Sequence, residues 1–234
     1  MLPLVLEDVG FAAGGRPIIH GLSTVIETGP RTIILGPNGA GKSVLMRLCH
    51  GLLHPTSGTI AWRGRRDGSR PRAQAMVFQR PVMLRRSALA NLTYALKLAG
   101  IAPDERELRA RDVLEAVGLA QLARRPARVL SGGEQQRLAL ARAWALGPEV
   151  QFLDEPTANL DPGAAREVEM LIGQVHASGT KIVMTTHNLG QARRLGDEIL
   201  FISGGRLVER AQAAAFFERP GSPEARSFIR DELP

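Results

Sequence analysis

The chain has 234 residues, 44% hydrophobic and 23% charged, with 25 glycines and 15 prolines, an ordinary globular composition that buries a real core in one large domain or one and a half. The formal net charge of +7 is almost all arginine, since lysine occurs only at Lys42, Lys97 and Lys181. Such a charge suits nucleic acid or an anionic membrane face, but the arginines read as scattered over a solvated surface, dense only at Arg63, Arg65, Arg66, Arg70 and Arg72 in a Gly/Ser/Pro-containing loop.

The N-terminal MLPLVLEDVGF has no basic region and carries Glu7 and Asp8, so no signal peptide is expected. Residues 2–9 and about 18–26 read as strands, and RTIILG is a short β-branched run ending in glycine, a buried strand. A helix is predicted from about Gly41 to Leu53. It contains the single cysteine, Cys49, which reads as a small buried hydrophobe; no internal disulfide is possible, which fits a reducing compartment. GTIAWRG is a strand, the arginine loop follows, and AMVFQ is a short buried strand ending at Gln79.

The character then changes. Ser87–Leu98, Asp104–Val117 and Gly132–Leu146 read as helices, so about 80–148 is a helical insertion. VQFLD returns to strand, with Gln151 an oddity in mid-strand that needs either a less buried face or a partner for its amide. Pro162 behind Asp161 marks a helix start, whose apolar face carries Val168, Leu171, Ile172 and Val175. KIVMTT and EILFIS are further strands, and the tail from Ala211 holds two short helical segments broken between Pro220 and Pro223. Strand–helix alternation on both sides of the helical block predicts a mostly parallel α/β sheet with covered faces. No stretch reaches about eighteen uninterrupted apolar residues, so a membrane role requires a partner chain.

Three stretches carry chemistry. GPNGAGKS, Gly36–Ser43, follows a predicted strand and opens a predicted helix. In that context its glycines let backbone amides curl around phosphates, Lys42 reaches the β- and γ-phosphates, and Ser43 offers a hydroxyl to Mg²⁺. The pattern names a nucleoside triphosphate; the absence of an Asn-Lys-x-Asp guanine reader disfavours a GTPase. VQFLDEP ends an apolar strand in two carboxylates: Asp154 suits the Mg²⁺ shell, and Glu155 suits polarising a water beside the γ-phosphate. LSGGE, Leu130–Glu134, has Ser131 as an N-cap, two bare glycines and Glu134 placed for a capping box, so it is a second anion site on a helix N-terminus.

With GPNGAGKS, Gln79, LSGGE, VQFLDE, NLD and His187 in TTHN arriving in this order, the chain resembles the nucleotide-binding subunit of an ATP-binding cassette (ABC) transporter over nearly its whole length. The resemblance implies a P-loop NTPase of ABC type, with an antiparallel N-terminal β part beside the parallel core. It divides the single domain into a core of 1–79 and 149–234 and a helical subdomain of 80–148. It implies ATP and Mg²⁺ as cofactors and ATP hydrolysis as the activity. Two copies would pair head to tail, the Ser131, Gly132, Gly133 and Glu134 of one closing on ATP held by Gly36, Pro37, Asn38, Gly39, Ala40, Gly41, Lys42, Ser43 and Val44 of the other. By position, Phe11 stacks on adenine, Gln79 touches Mg²⁺ or water and reports to the membrane partner, Asp161 signals between the sites or caps its helix, and His187 holds the γ-phosphate and positions Glu155. Val44, Asn159 and Asn188 depart from the usual residues without removing a catalytic group.

The lone cassette is similar to importer subunits, whose partners are an integral membrane permease and, indirectly, a solute-binding protein. It implies peripheral attachment at the cytoplasmic face of the membrane, with no nucleic acid as partner. MVFQRPVMLRRSALANLTYAL, Met76–Leu96, resembles tungstate-importer ATPases and lies where the cassette would meet the permease. Phosphate or polar amino acid importers are the alternative solute classes, and exporter or lipid-transport ATPases an alternative task. Soluble ABC ATPases acting on nucleic acid or ribosomes usually carry two cassettes, a long coiled coil or zinc cysteines, none of which is present.

Overall fold

The structure, a computed structural model, describes residues 1–64 and 74–232. In chain order the elements are β1 (Leu4–Ala13), β2 (Arg16–Ile26), β3 (Thr32–Leu35), α1 (Lys42–His50), β4 (Ser57–Trp62), β5 (Gln74–Val77), α2 (Ala88–Leu98), α3 (Pro103–Ala116), α4 (Gly132–Trp144), β6 (Val150–Asp154), α5 (Pro162–Ala177), β7 (Lys181–Thr186), α6 (Leu189–Leu195), β8 (Glu198–Ser203), β9 (Arg206–Gln212), α7 (Ala213–Glu218) and α8 (Pro223–Glu232). Single 3₁₀ turns lie at Ala120–Leu122 and Ala127–Val129. Two compact units emerge, Met1–Arg66 with Lys181–Pro234, and Asp67–Thr180. Of the expected arginine loop, Arg65, Arg66, Arg70 and Arg72 lie outside the described residues.

In the first unit, β1 and β2 form a hairpin through Gly14 and Gly15, both at positive φ as a tight two-residue turn requires, and β4 pairs antiparallel on the other side of β1. A second sheet sets β3 between parallel β7 and β8, with β9 antiparallel on β8. The fold class is thus the expected α/β one, a parallel core beside an antiparallel N-terminal part. All of β3 and β7 is buried, as parallel strands covered on both faces require. A polar network fastens the strand starts. Arg31 grips Asp197 with Nε and Nη2 at 3.0 and 2.8 Å, and Thr32 donates to Glu198 at 3.1 Å. Buried Lys181 donates to the Pro30 carbonyl and to Thr32 Oγ1. Burial pushes its ammonium down to about 8 despite Glu198 and Asp197 nearby. Glu209 on β9 accepts from the Gly221 and Ser222 amides at 2.9 and 2.8 Å and pins the start of α8.

In the second unit, β5 and β6 pair in parallel, α4 packs on β5, and α2, α3 and α5 pack on α4. Val168, Leu171, Ile172 and Val175 are all buried, as the α5 pattern predicts, and Asp161 caps that helix ahead of Pro162. Gln151 settles neither way expected of it: it is fully buried, and neither atom of its amide has a partner among the described residues.

The differences from the sequence reading have local causes. Helix α1 stops at His50 rather than Leu53 because Gly51 turns left-handed at φ 82 and the amides of Gly51 and Leu52 fold back onto Leu48 and Arg47. Strand β5 ends at Val77, so Gln79 stands on the exposed loop beyond it. Strand β9 is not predicted at all. Cys49 is buried as read, its thiol pushed up to about 12 by burial.

Candidate functional site

The first unit carries the phosphate loop. Buried β3 delivers the chain into Gly36, and Gly41 at φ 96 caps α1 with no side chain, leaving the helix N-terminus bare. A Cβ on Gly36 would fall on the Ile202 carbonyl, so that position admits only glycine, and the left-handed φ of Gly41 favours glycine there. Lys42 is buried, and its ammonium crosses the loop, donating to the Gly36 and Pro37 carbonyls at 2.8 and 3.0 Å. Ser43 and Val44 follow it on the first turn, both half-buried.

Register places two more expected residues beside this loop. Thr186 ends β7 opposite Leu35, so His187 leaves the sheet alongside Gly36, at the carboxyl ends of the parallel strands. Phe11, half-buried on β1, pairs with Ile19, whose side chain lies against Gly41. Asn188 gains a reason here. Its Oδ1 accepts from the Gln191 amide at 2.8 Å and caps α6, a task an asparagine performs as well as an aspartate.

Sequence reasoning missed Gly205. This residue turns the β8–β9 hairpin at φ 72, donates its amide to the Ala40 carbonyl at 3.2 Å, and accepts from the His20 amide at 2.9 Å. A Cβ there would strike the Ile18 carbonyl. One residue thus braces the phosphate loop against both β2 and the terminal hairpin. A Gly-Gly pair signals a turn, but nothing in the sequence says what the turn touches.

The second unit carries the other half of the expected residues. Strand β6 is buried along its length and delivers Asp154, itself buried, at its end. Glu155 follows at φ 44, a left-handed conformation that a side-chain-bearing residue holds at a cost of about 1–2 kcal/mol. Strained backbone of this kind clusters where function fixes a side chain. Gln79 and Glu155 each stand two residues past the paired Val77 and Leu153, so both leave the β5–β6 pair at the same end.

LSGGE opens α4 through the full capping box. Ser131 Oγ accepts from the Glu134 amide at 3.3 Å, and Glu134 Oε2 accepts from the Ser131 amide at 2.7 Å, which with its arginine neighbours holds the Glu134 carboxyl below the usual range. Gly132 and Gly133 meet the start of α5. A Cβ on Gly132 would touch Leu160 at 3.7 Å, and one on Gly133 would press Ala164 at 2.7 Å. Gly133 therefore has a packing reason besides an exposed amide. Asp161 caps α5 through the Gly163 and Ala164 amides at 2.9 and 3.0 Å, which lowers its carboxyl, and Asn159 bends the intervening loop at φ 65. The structure so gathers Ser131–Glu134 and Asp161 at two adjoining helix starts within one unit.

The donors fit the expected ligands. Glycine-shaped amides, a helix N-terminus and Lys42 suit a polyphosphate. Ser43 in the first unit, and Asp154 and Gln79 in the second, each carry a hard oxygen of the kind Mg²⁺ takes. Among the described residues no group of three or more His, Cys, Asp or Glu gathers as a separate metal centre, and no helix is long and apolar enough to cross a membrane.

Residues 19–158 match the ABC transporter family. The tungstate uptake system ATP-binding protein TupC of Peptoclostridium acidaminophilum is 38% identical over 209 residues, 89% of this chain and 98% of that protein. The methionine import ATP-binding protein MetN of Cereibacter sphaeroides is 36% identical over 228 residues, 92% of this chain but 65% of that longer protein. The solved structure of cbiO1 from Clostridium perfringens, part of the ABC transporter complex cbiONQ, superposes with a TM-score of 0.82 at 28% identity, covering 99% of this chain and 95% of that one.

Proposed function

Because the chain belongs to the ABC transporter family as an ATP-binding, ATP-hydrolysing subunit, we propose that two copies pair head to tail around two ATP and power a separate permease that imports tungstate or a related oxyanion. The carrying observation is that one chain holds two helix N-termini shaped for anions, at Gly41 and at Ser131, in two different compact units. A single nucleotide needs only the first; a second copy gives the other its use. On this reading residues 80–148 act as the helical subdomain that presents the LSGGE loop. The subunit rests at the cytoplasmic face of the membrane, held by its permease.

The roles follow from the groups. Phe11 offers its ring to the adenine. The backbone amides of residues 38–44 and the Lys42 ammonium hold the β- and γ-phosphates and neutralise charge that grows in the transition state. Mg²⁺, bound by Ser43, Asp154 and Gln79, would supply further charge neutralisation. Glu155 accepts a proton from the attacking water, and His187 orients Glu155 and donates to the γ-phosphate. Ser131, Gly132 and Gly133 of the partner copy close on the same phosphate, and Asp161, whose carboxylate already holds two amides of α5, links that loop to the neighbouring site. Hydrolysis removes the γ-phosphate that both copies grip and so releases them, a ligand-driven population shift.

The solute reading rests on the 38% identical tungstate-uptake relative and on the Gln79–Arg86 run. The 36% identical methionine-import relative supports the alternative of an amino acid, though methionine is not a polar one. In the first test, Glu155→Gln with ATP and Mg²⁺ is expected to run as a dimer by light scattering; a monomer under those conditions ends the head-to-tail reading. In the second, the chain is purified from native membranes in mild detergent. A multi-span permease with a solute-binding protein that takes tungstate in calorimetry is expected. Binding of methionine or phosphate instead would reassign the solute, and ribosomal or DNA-repair proteins in place of a permease would overturn the importer.

A further inference from the structure

Asparagine occurs in this chain at Asn38, Asn91, Asn159 and Asn188. An asparagine side chain can close on the backbone amide of the residue that follows it, one reason asparagine is thermolabile. Three conditions favour closure: a following residue without a Cβ, an amide there that holds no hydrogen bond, and a side-chain carboxamide free in water. Asn91 is fully buried, its carboxamide is bonded to the Leu84 amide and to the Arg86 and Ser87 carbonyls, and Leu92 follows it. Asn188 precedes Leu189, and its Oδ1 holds the Gln191 amide at 2.8 Å. Asn159 is exposed, but Leu160 follows it and donates its amide to the Thr157 carbonyl at 3.2 Å.

Asn38 meets all three conditions. It is exposed in the phosphate loop, and Gly39 follows it, exposed as well. Neither its carboxamide nor the Gly39 amide has a hydrogen-bond partner among the described residues. The turn that carries the pair is closed one residue later, where the Ala40 amide donates to the Pro37 carbonyl at 3.2 Å. Gly39 stands at φ 80, as the third residue of a type II turn requires. No hydrogen bond at the Gly39 amide has to break before that nitrogen reacts. A Cβ on Gly39 would meet nothing within 4 Å, so the space around it is open. The two ends of the loop are fixed instead. Gly36 lies against the Ile202 carbonyl, the Gly205 amide holds the Ala40 carbonyl at 3.2 Å, and the Lys42 ammonium holds the Gly36 and Pro37 carbonyls. A reactive pair thus sits between anchored ends.

We propose that Asn38 is a site of self-modification, at which the nucleotide-free chain converts its own carboxamide to aspartate and isoaspartate and so loses its hold on nucleotide. The Gly39 nitrogen attacks Asn38 Cγ and gives its proton to water or hydroxide. The Cγ–Nδ2 bond breaks, Nδ2 leaves as ammonia, and a cyclic imide remains. Water then adds to one of its two carbonyls. Addition at Cγ breaks the new Cγ–N bond and leaves aspartate. Addition at the main-chain carbonyl breaks the original peptide bond and leaves isoaspartate, with the main chain running through Cβ and Cγ. One water enters and one ammonia leaves. Either product sets a carboxylate one residue from the Pro37 carbonyl that Lys42 holds, where it competes for the ammonium and repels phosphate. Isoaspartate also lengthens the main chain between ends that are held in place. A nucleotide whose phosphates take the loop amides occupies the Gly39 nitrogen, so a filled loop is protected and an empty one ages. The protection rests on the nucleotide reading given above, while the closure stands on Asn38 and Gly39 alone.

The test ages the full chain at mildly alkaline pH, with and without Mg²⁺-ADP, and maps it by tryptic mass spectrometry. The peptide Thr32–Lys42 is expected to gain the mass of an amide-to-acid change and to accept methyl groups from an isoaspartyl methyltransferase. Peptides carrying Asn91, Asn159 and Asn188 are expected to stay unchanged. Mg²⁺-ADP at about a hundred times its Kd leaves the loop empty about a hundredfold less often, so conversion should slow by at least about tenfold. Asn38→Asp, which carries one of the two products, should bind ATP about tenfold more weakly in nucleotide titrations. Asn38→Gln closes a larger ring far more slowly, so it should keep its starting ATP affinity on ageing while the wild type loses affinity. If Thr32–Lys42 stays unchanged in the aged chain while the same synthetic peptide converts, the proposal is overturned. Equal loss of affinity by aged wild type and aged Asn38→Gln, or wild-type affinity in Asn38→Asp, overturns the claimed loss of nucleotide. If Asn38 converts but nucleotide titration of the fresh chain shows no binding, the modification stands and the nucleotide reading falls.

Discussion

The Gly36–Ser43 loop and the Leu130–Glu134 loop each lead into a helix N-terminus, yet they keep their shapes by different means. The first is held by backbone. Gly36, Gly39 and Gly41 sit at positive φ, and Gly205 ties the Ala40 carbonyl to β2. The second uses no positive φ among its own residues and is held by side chains, the reciprocal Ser131–Glu134 box and the seat of Gly133 against Ala164. A loop held by backbone has one shape and binds by fitting it. A loop held by exposed side-chain hydrogen bonds loses little when it is disturbed, which suits a surface that meets a partner and leaves it again.

That contrast can be broken by substitution. Gly205→Ala puts a Cβ onto the Ile18 carbonyl and should lower stability by about 3 kcal/mol, with ATP affinity falling in nucleotide titrations. Gly204→Ala, whose Cβ meets open space, should cost only about 1 kcal/mol. Equal effects of the two would show that the brace does not hold the loop. Ser131→Ala removes one cap and should cost about 1 kcal/mol in thermal unfolding, leaving ATP binding by the phosphate loop intact while hydrolysis falls. A loss of nucleotide binding by the isolated monomer would refute the division of labour.

The interiors of the two units differ in the same spirit. Buried Lys181 in the first is satisfied by the Pro30 carbonyl and Thr32, whereas buried Gln151 in the second has no partner for either amide atom among the described residues. Gln151→Met keeps the volume and removes the unpaired groups, so it should raise stability by about 1 kcal/mol; a lower melting temperature would mean that the amide is satisfied. Lys181 gives the smallest signal and the cleanest sign. Its folded value of about 8 lies below the ordinary lysine value of 10.5, so between them the unfolded chain holds a proton that the folded chain has lost. Stability contributed by this group therefore rises with pH from about 8 to 10.5 and is flat below that window. Melting temperatures across that range should climb in the wild type relative to Lys181→Met; parallel curves would show that the ammonium titrates normally.

How much of this was legible in the sequence follows from where each determinant lies. The phosphate loop is readable because its conformation is written in glycines at fixed spacing, and the capping box because both partners lie within four residues. Asp161 and Pro162 announce α5 for the same local reason. Strand β9, RLVERAQ, carries charges on a mostly half-buried strand and shows no clean alternation, so its pairing with β8 decides it. Gly205 matters through the approach of β2, far away in the chain.

The left-handed backbone at Glu155 has a consequence for anyone who selects this protein for robustness. Glycine would sit there without strain and asparagine with less, and neither can accept a proton from the attacking water, the role proposed for Glu155. A library sorted only for heat resistance should therefore enrich for chains changed at position 155, better folded than the parent and inert. At that position durability and turnover pull in opposite directions, and a screen that measures only one of them will discard the other.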